Sequence, residues 1–592
     1  MGYDVGGLAA HDSLTLAEDL VLCVTLEYAG RQWRWSTRPV DLYDEAGTAI
    51  PWDGGLPDLD VEQTLTVLSE TPDLLTVPLE LAWPTDAPSA ASLRADGHDL
   101  AAATGEVALA VPGGQWAQRQ VLLRGHVQQP EYGQDGEPVS LSLQEAPYED
   151  EAVWPPDTAR VTSETWPSAW SEYEGRYYPH VFGWPGTYRP TGSSTISGMP
   201  GSPGLVVERS GTDADTILIA GHRVTAGTVD LWYEDDTTSS GWSAVVGATV
   251  EHQVDGAGRV CAVIDVSGMV LPGIRTSSTY WVSWRPEGGA CGMYSEDVAG
   301  GVAAGGAGEA LLYWLRRSSL RLDLPRFVAL RQVLDGYRVS WYVDEPVTPY
   351  RWITDYLLPL LPVSIVSGPR GLCPVLWQHD PQRTQALTSI TVEPGITRVG
   401  RVGVDRGWSE IVQEVRVSYC VDAESGDAKR TAVVAPAGPE ITQSSAVGAS
   451  SEIGTTAKGG TYRSVHAESS WRRYIEPGRP WRSEEVNGEI IVEEPTAARV
   501  AQWRLVAHGY AHRLVSYELP QSWAHLELGA IVLWTDADLY LSEVVALVRA
   551  RTRRDYGLVR VTLQLLDEQP IRRVTTGPDP LGYTDEDPGP WQ

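Results

Sequence analysis

Lysine occurs only at Lys429 and Lys458 and asparagine only at Asn487, so arginine carries the positive charge; we read this as base bias of the gene rather than as chemistry. Cations are scarce overall: 45 Lys and Arg stand against 78 Asp and Glu, a net charge of −33. That balance excludes a sequence-reading nucleic-acid binder, which needs basic stripes, and the basic clusters present, Arg316-Arg317 and Arg549 to Arg554, are short. Cysteine is limited to Cys23, Cys261, Cys291, Cys373 and Cys420, odd in number, widely spaced and without a C-x-x-C, which argues against a disulfide framework and a zinc site. Apolar runs break well short of the ~20 residues that span a bilayer. The first twenty residues are acidic, with neither a basic nor an apolar leader segment, so no Sec-type export is expected.

Catalytic patterns are missing too. No G-x-x-x-x-G-K-[ST], no strand-embedded G-x-G-x-x-G and no G-x-S-x-G elbow is found. His508 and His512 stand four apart on an expected helix, at metal-sharing distance, but Gly509 stands where H-E-x-x-H needs glutamate and no third ligand is evident. Paired acids at Glu172/Glu174, Asp235/Asp236, Glu484/Glu485 and Glu493/Glu494 could serve a glycosidase, yet such pairs arise freely in so acidic a chain. No enzyme, cofactor or metal is expected.

What is present is strand after strand. At 592 residues, with 42% hydrophobic and 21% charged residues, the chain is a folded protein of roughly three to five domains. Gly105 to Leu143 echoes Gly529 to Leu565: aligned on the two glycines, Tyr132-Gly133 falls on Tyr556-Gly557 without a gap, Leu109 on Leu533, Val121 on Val545 and Leu123 on Leu547. Each copy reads as a Gly-opened strand, a turn, a long strand, a second turn and a closing strand of period two, and the closing strands need turns of different length. Such internal duplication is a statement about architecture.

Between the copies, residues 147–215 are rich in Pro, Gly and aromatics and read as a linker, in which Trp166, Trp170 and Trp184 could stack sugars or anchor a protein interface. Residues 216–298 carry short, regularly spaced strands, a small β-sandwich. Residues 299–389 read as a Gly-rich hinge and a small α+β unit with helices near 309–317, 325–334 and 351–361. From residue 390 strands resume, interrupted by a Ser/Gly/Ala-rich loop at 424–460 and an amphipathic helix at 496–514 capped by Thr496. Residues 575–592 form an acidic Pro/Gly tail.

Ser469 to Val486 with the helix that follows, Arg513 to Asp536, the closing VRVTLQL and, in the first copy, VLLRGHVQQPEYG with VSLSL resemble the tail hub proteins of tailed bacteriophages, a family that includes baseplate hubs of contractile phages and the hub part of type VI secretion spikes. Ala530 departs from the family's usual Asp. The resemblance covers about half the chain; residues 147–308 lie outside it.

It implies a mainly β protein with α+β parts: two similar β-barrel hub domains (1–146 and 390–574) separated by the sandwich-like insertion and the α+β domain. The resemblance further implies that a homotrimer of such chains, made in the host cytoplasm, forms a pseudo-sixfold ring at the virion tail tip or baseplate. Its implied partners are further copies of itself, the distal tail or tail tube protein, the tape measure protein, tip, spike or fibre proteins and passing DNA bound without sequence preference, with no stable membrane insertion. The expected inter-subunit strand positions are Val107, Leu109, Val121, Leu123, Val139, Leu141 and Leu143 and, in the second copy, Ile531, Leu533, Val545, Leu547, Val559, Val561 and Leu563. The rival expectation is a carbohydrate-binding or carbohydrate-cleaving tail-tip protein working through Trp166, Trp170 and Trp184 and the sandwich; a plain intracellular β scaffold comes third.

Overall fold

The computed structural model describes residues 20–28, 30–57, 59, 61–65, 74–82, 99–132, 138–145, 153–183, 185, 201–210, 213–224, 229–234, 242–245, 248–267, 269, 280–284, 293–294, 303–304, 306–318, 320–368, 370–377, 386–405, 407–421, 428–435, 461–463, 481–523, 526–553 and 558–566. Among these, the chain is mainly β, arranged in several sheets.

The first nine strands are β1 (Val21–Tyr28), β2 (Arg31–Ser36), β3 (Val40–Tyr43), β4 (Ala49–Gly54), β5 (Val61–Thr64), β6 (Thr76–Leu81), β7 (Thr104–Ala110), β8 (Gln120–Glu131) and β9 (Val139–Gln144). All but β5 form one sheet in the order β3-β4-β2-β1-β7-β8-β9-β6. Alternation places Leu22, Val24, Leu26, Val107, Val127, Leu141 and Leu143 on one face, where they form a single core. The sheet curls until its far strands meet: Ala82 N–H donates to Gly55 O at 3.0 Å, Leu56 N–H to Ser36 O at 3.3 Å, and the Trp35 indole to Ala82 O at 2.7 Å.

After β10 (His180–Phe182), seven strands follow: β11 (Ser202–Ser210), β12 (Asp213–Ala220), β13 (Val229–Glu234), β14 (Trp242–Val245), β15 (Val250–Val254), β16 (Val260–Asp265) and β17 (Tyr280–Trp284). Their order is β14-β13-β17-β11-β12-β16-β15. Two register shifts bend β11 against β12, a bulge's usual effect, and β11 pairs β17 through its first residues and β12 through the rest. A separate core including Leu205, Ile217, Leu231, Val263 and Tyr280 fills this unit. A short pair, β18 (Met293–Tyr294) and β19 (Ala303–Ala304), leads out of it.

The central α+β part has α1 (Ala307–Leu315), α2 (Leu324–Leu334), β20 (Trp341–Val343), α3 (Pro349–Trp352), β21 (Val363–Gly368) and β22 (Gly371–Leu376). The helix expected at 351–361 is broken. After α3 the chain widens into a π turn (Ile353–Leu357) and tightens into a 3-10 turn (Leu358–Leu360), because Pro359 has no N–H to continue the ladder.

Next come β23 (Thr388–Thr391), β24 (Thr397–Val404), β25 (Glu414–Val421), β26 (Ala428–Ala435), β27 (Thr461–Arg463), β28 (Ser483–Asn487), α4 (Glu494–His508), β29 (Arg513–Pro520), β30 (Ile531–Asp536), β31 (Leu541–Arg553) and β32 (Leu558–Leu565). Strands β27-β26-β25-β28 form a four-stranded sheet under α4. The helix expected over 496–514 begins at Glu494 and stops at His508, with Gly509 as its cap, and Thr496 accepts the Arg338 N–H at 3.0 Å instead of capping. It is buried on most sides rather than on one stripe, and its Ala498, Trp503 and Leu505 share one core with α1, α2 and β21.

The last sheet runs β23-β30-β31-β32-β29-β24. Its two outermost strands, β23 and β24, are joined by residues 392–396 alone, so the sheet must curl for so short a link to reach from one edge to the other.

Candidate functional site

The two aligned stretches fold as the same three-strand antiparallel meander, β7-β8-β9 and β30-β31-β32. Val107 faces Leu123 across the first pair, and the aligned Ile531 faces Leu547 across the second. Residues directly opposite share a face, so the registers fix which way each points. In the first meander Val107, Leu109, Leu123, Val139, Leu141 and Leu143 point into the core with Leu22 and Val24, while Val121, opposite Ala108, lies on the other face. In the second, Val559, Val561 and Leu563 point inward with Tyr517, Val548, Val532 and Trp534.

Ile531, Leu533, Val545 and Leu547 point the opposite way; Ile531, Val545 and Leu547 are buried there and Leu533 is half-buried. The outer face of β30 meets β22 so closely that a Cβ on Gly529 would stand 2.1 Å from Val375 Cγ1. The ungapped alignment therefore matches inward residues of β7 to outward residues of β30. A one-residue change of phase exchanges the faces, and bulges between Val107 and Ala108 and between Val548 and Ala550 supply such changes.

The meanders are physically joined. Strand β5, from the first half of the chain, leaves its own sheet and pairs antiparallel with the end of β31: Thr64 with Ala550, Gln63 with Arg551, Glu62 with Thr552 and Val61 with Arg553. Leu65 N–H donates to Arg549 O at 2.6 Å, and Arg549 Nε donates back to Leu65 O at 2.8 Å. Arg551 and Arg553 follow the inward alternation of β31, opposite Val561 and Val559, and are buried. Arg551 donates to Gln63 Oε1 at 2.5 Å and to Leu526 O at 3.0 Å. Gln63 Nε2 donates to Ser367 O at 3.0 Å, and Ser367 Oγ accepts the Leu75 N–H at 2.8 Å. With its amide oriented to accept, Gln120 of β8 takes both terminal nitrogens of Arg553 at 3.2 Å.

Burial lowers both guanidinium pKa values, and the same enclosure raises the Glu145 carboxyl to about 7 against the pull of Ser367 and Arg321. The capacity of this seam of fixed charges and backbone ladder is to hold two curled sheets in one orientation. Sequence reasoning missed it, although arginine at 551 and 553 alternates within an apolar strand and so marks charged positions on one row.

Of the expected recognition aromatics, Trp166 belongs to the core of the inserted sheet and Trp170 packs against it. Trp166 is 4% exposed, and its indole donates to Tyr178 Oη at 3.1 Å, which in turn donates to Asp255 Oδ2 at 2.9 Å. Trp170 is half-buried edge-on to Tyr173, and Trp184 lies outside the described residues. His508 and His512 are not on one helix face. His508 Nδ1 pairs with Glu484 Oε2 at 2.6 Å, and His512, beyond the helix end, gives its backbone N–H to Asp405 at 2.7 Å. Glu484 also receives Arg504 at 2.5 Å; despite burial, those two partners hold its carboxyl below the usual range.

Glu484 and Glu485 are neighbours on β28 and so face opposite ways, and Glu172 and Glu174 are exposed. Glu493 caps α4, Glu494 accepts from Tyr419 Oη at 3.3 Å, and Asp235/Asp236 lie outside the described residues. A cleft of about 360 Å³ is lined by Asp355, Tyr356, Pro359, Glu485, Val486, Asn487, Glu489 and Arg504. Cys23, Cys261, Cys373 and Cys420 are buried free thiols, and Cys291 lies outside the described residues, as do Ser469 to Pro480 and most of 424–460. Among the described residues, no three His, Cys, Asp or Glu side chains are grouped as a metal site would need, and no helix is long and apolar enough to cross a membrane.

No family model matches the chain, and no curated protein matches it. Among solved structures it is similar to the 43 kDa tail protein of prophage MuSo2 from Shewanella oneidensis, at 8% identity and a TM-score of 0.35, over 93% of this chain and 100% of that one. It is similar to the prophage tail protein gp18 of Listeria monocytogenes EGD-e at 9% identity and a TM-score of 0.26, over 92% and 94%. A chain of the virion of a native gene transfer agent particle is similar at 13% identity and a TM-score of 0.34, over 68% of this chain and 88% of that one. With TM-scores this low, the functional reading rests on the chain's own residues.

Proposed function

We propose that this chain is a structural tail hub protein: a homotrimer forms a pseudo-sixfold ring at the distal end of a phage tail or phage-like particle, joins the tail tube to the tip and lines the channel for genome delivery. The observation that carries this reading is the meander repeated in two curled sheets of one chain and tied across a shared ladder by β5. A subunit that must supply two equivalent wall segments to a ring needs such a repeat, and it needs the two held rigidly. Two catalytic modules would need neither. In this reading the tube protein, the tape measure protein and the tip, spike or fibre proteins are its neighbours, and no catalysis is assigned to it.

The net charge of −33 gives the ring a second property: an acidic lumen repels DNA phosphates and keeps the genome from adhering in transit. Electron microscopy of the purified full chain tests the reading. Threefold rings with six wall densities are expected, and a protein that stays monomeric at every concentration overturns it. A channel lined by arginine would sink the acidic lumen alone.

The rival reading, glycan recognition at the tail tip, would use residues 147–215 and the sheet of β11 to β17. The buried indole of Trp166, hydrogen-bonded to Tyr178, speaks for a packing role at that position.

A further inference from the structure

Two open sheet edges of this chain carry opposite charge. Strand β24 ends the last sheet and pairs only with β29 among the described residues. Val399 stands opposite Ser516 and Gly403 opposite Leu514, so a bulge sets Gly400, Arg401 and Val402 against Val515 alone. The strand is exposed over nearly its whole length, and Arg398 and Arg401 meet no carboxylate among the described residues. Val402 and Val404 are 38% and 58% exposed, and nothing stands within 4 Å of where a Cβ on Gly400 or Gly403 would be. Arginines alone would guard a solvated edge. Bare valines and two unhindered glycines instead leave room for another backbone to lie alongside.

Strand β28 is an edge of the four-stranded sheet under α4 and pairs only with β25 among the described residues. Its Glu485 and Asn487 line the cleft of about 360 Å³ together with Glu489 and with Asp355 and Tyr356 of the π turn. The cleft is held in shape by Arg504, whose guanidinium donates to Pro359 O at 3.0 Å and to Glu484 Oε1 at 2.5 Å and is thereby committed. Asp355 has its own cation, Arg351 at 3.2 Å. Glu485 has no partner among the described residues and Glu489 has only the Asn487 side chain, so two acidic charges stand uncompensated. Burial raises the Glu489 carboxyl, the response of an enclosed acid with no cation beside it. The Tyr356 ring adds a flat face, backed by Trp352 at 5.8 Å.

Each edge repels its own kind. Pairing β24 with β24 sets arginines side by side, and β28 with β28 does the same with glutamates. An edge of one kind laid on an edge of the other satisfies both, and the two do not pair within one chain. Such a head-to-tail contact is the kind that repeats around a ring.

We propose that β24 of one copy of this chain lies along β28 of the next, with Arg401 entering the cleft between Glu485 and Glu489 over the face of Tyr356. The contact rests on the hub reading for its closure into a ring, and it names the strands that make the joint.

Sedimentation velocity of the full chain tests it. The parent should assemble as concentration rises. Arg401→Glu or Glu485→Arg alone should raise the concentration of half-assembly about tenfold or more, the scale of one interfacial charge pair turned repulsive. Both changes in one chain should bring it back to within about threefold, because every joint regains an opposite pair. Both positions are exposed, so all three variants should keep the far-ultraviolet spectrum of the parent. Rings that persist through both single changes overturn this contact and leave the hub reading standing; the cleft then belongs to another protein or to a segment of the same chain. A double variant that assembles no better than the single ones overturns the contact too. A parent chain that stays monomeric at every concentration overturns both the contact and the hub reading.

Discussion

Gln63 and Arg551 meet inside one β ladder although they come from opposite ends of the chain, the guanidinium donating to the amide oxygen at 2.5 Å. Replacing Gln63 by Leu removes one of the two acceptors of a buried cation and leaves Leu526 O as the other, the costlier half of a polar deletion. We expect a loss of about 2 kcal/mol in urea unfolding. Thr64→Ala, exposed on the same short strand, should cost under about 0.5 kcal/mol.

Gly529 is fixed twice, by a φ of 76° and by Val375. Gly529→Ala should destabilise by about 3 kcal/mol, part from left-handed backbone and part from overlap with the valine. Adding Val375→Ala relieves the overlap but not the backbone term. A double-mutant cycle should therefore show coupling of about 1 kcal/mol or more, and strictly additive losses would refute the contact.

Trp166→Ala should cost about 3 kcal/mol by removing a buried ring, whereas Trp166→Phe keeps most of the packing and loses about 1 kcal/mol with the bond to Tyr178. The glycan reading expects the reverse pattern: unchanged melting with lost binding to host polysaccharide.

Acid should loosen the contact between the inserted sheet and α1. The His180 ring stacks on Tyr313 at 5.2 Å and lies 4.4 Å from the ring of His222. His222 accepts the Val181 N–H at 3.0 Å, and the Arg317 guanidinium lies over Tyr313. Burial lowers the pKa of His180 well below the usual histidine value, helped by His222 and Arg317, and burial pushes His222 down to about 4. Both pKa values fall on folding, so the neutral forms are favoured by the fold. The stabilisation is complete above the unfolded value near 6.5 and is lost as pH drops from there toward 4. Melting temperature should fall across that window, by up to about 1.4 kcal/mol of stability per pH unit for each ring, and His222→Gln should flatten the profile.

Period-two patterns made both meanders legible, and α2 falls within one residue of the 325–334 expected for it. What escaped was whatever depends on a bulge or a distant partner. The alternation of Ile531 and Leu533 looks the same whether it points in or out, and only the shifts beside Val107 and Val548 decide the face. Ala511 and Leu514 prolong the apolar stripe of α4 beyond Gly509, where the backbone stops it. Strand β5 spans four residues, too few for a periodic signal, and its partner strand is remote in sequence. The aromatics were visible, but their count says nothing of whether a ring faces solvent or, like Trp166, another side chain.

The pairing of β5 with β31 also sets a timetable for synthesis. Gln63 leaves the ribosome 488 residues before the arginine it must meet, an interval of roughly half a minute to a minute and a half at ordinary elongation rates. Throughout that time the first sheet can mature, but Val61 to Thr64 remains an unclaimed edge, open to pairing with the same segment of a neighbouring nascent chain. Glu62 places a like charge in every such encounter, which disfavours the wrong match until Arg549, Arg551 and Arg553 emerge with the opposite sign.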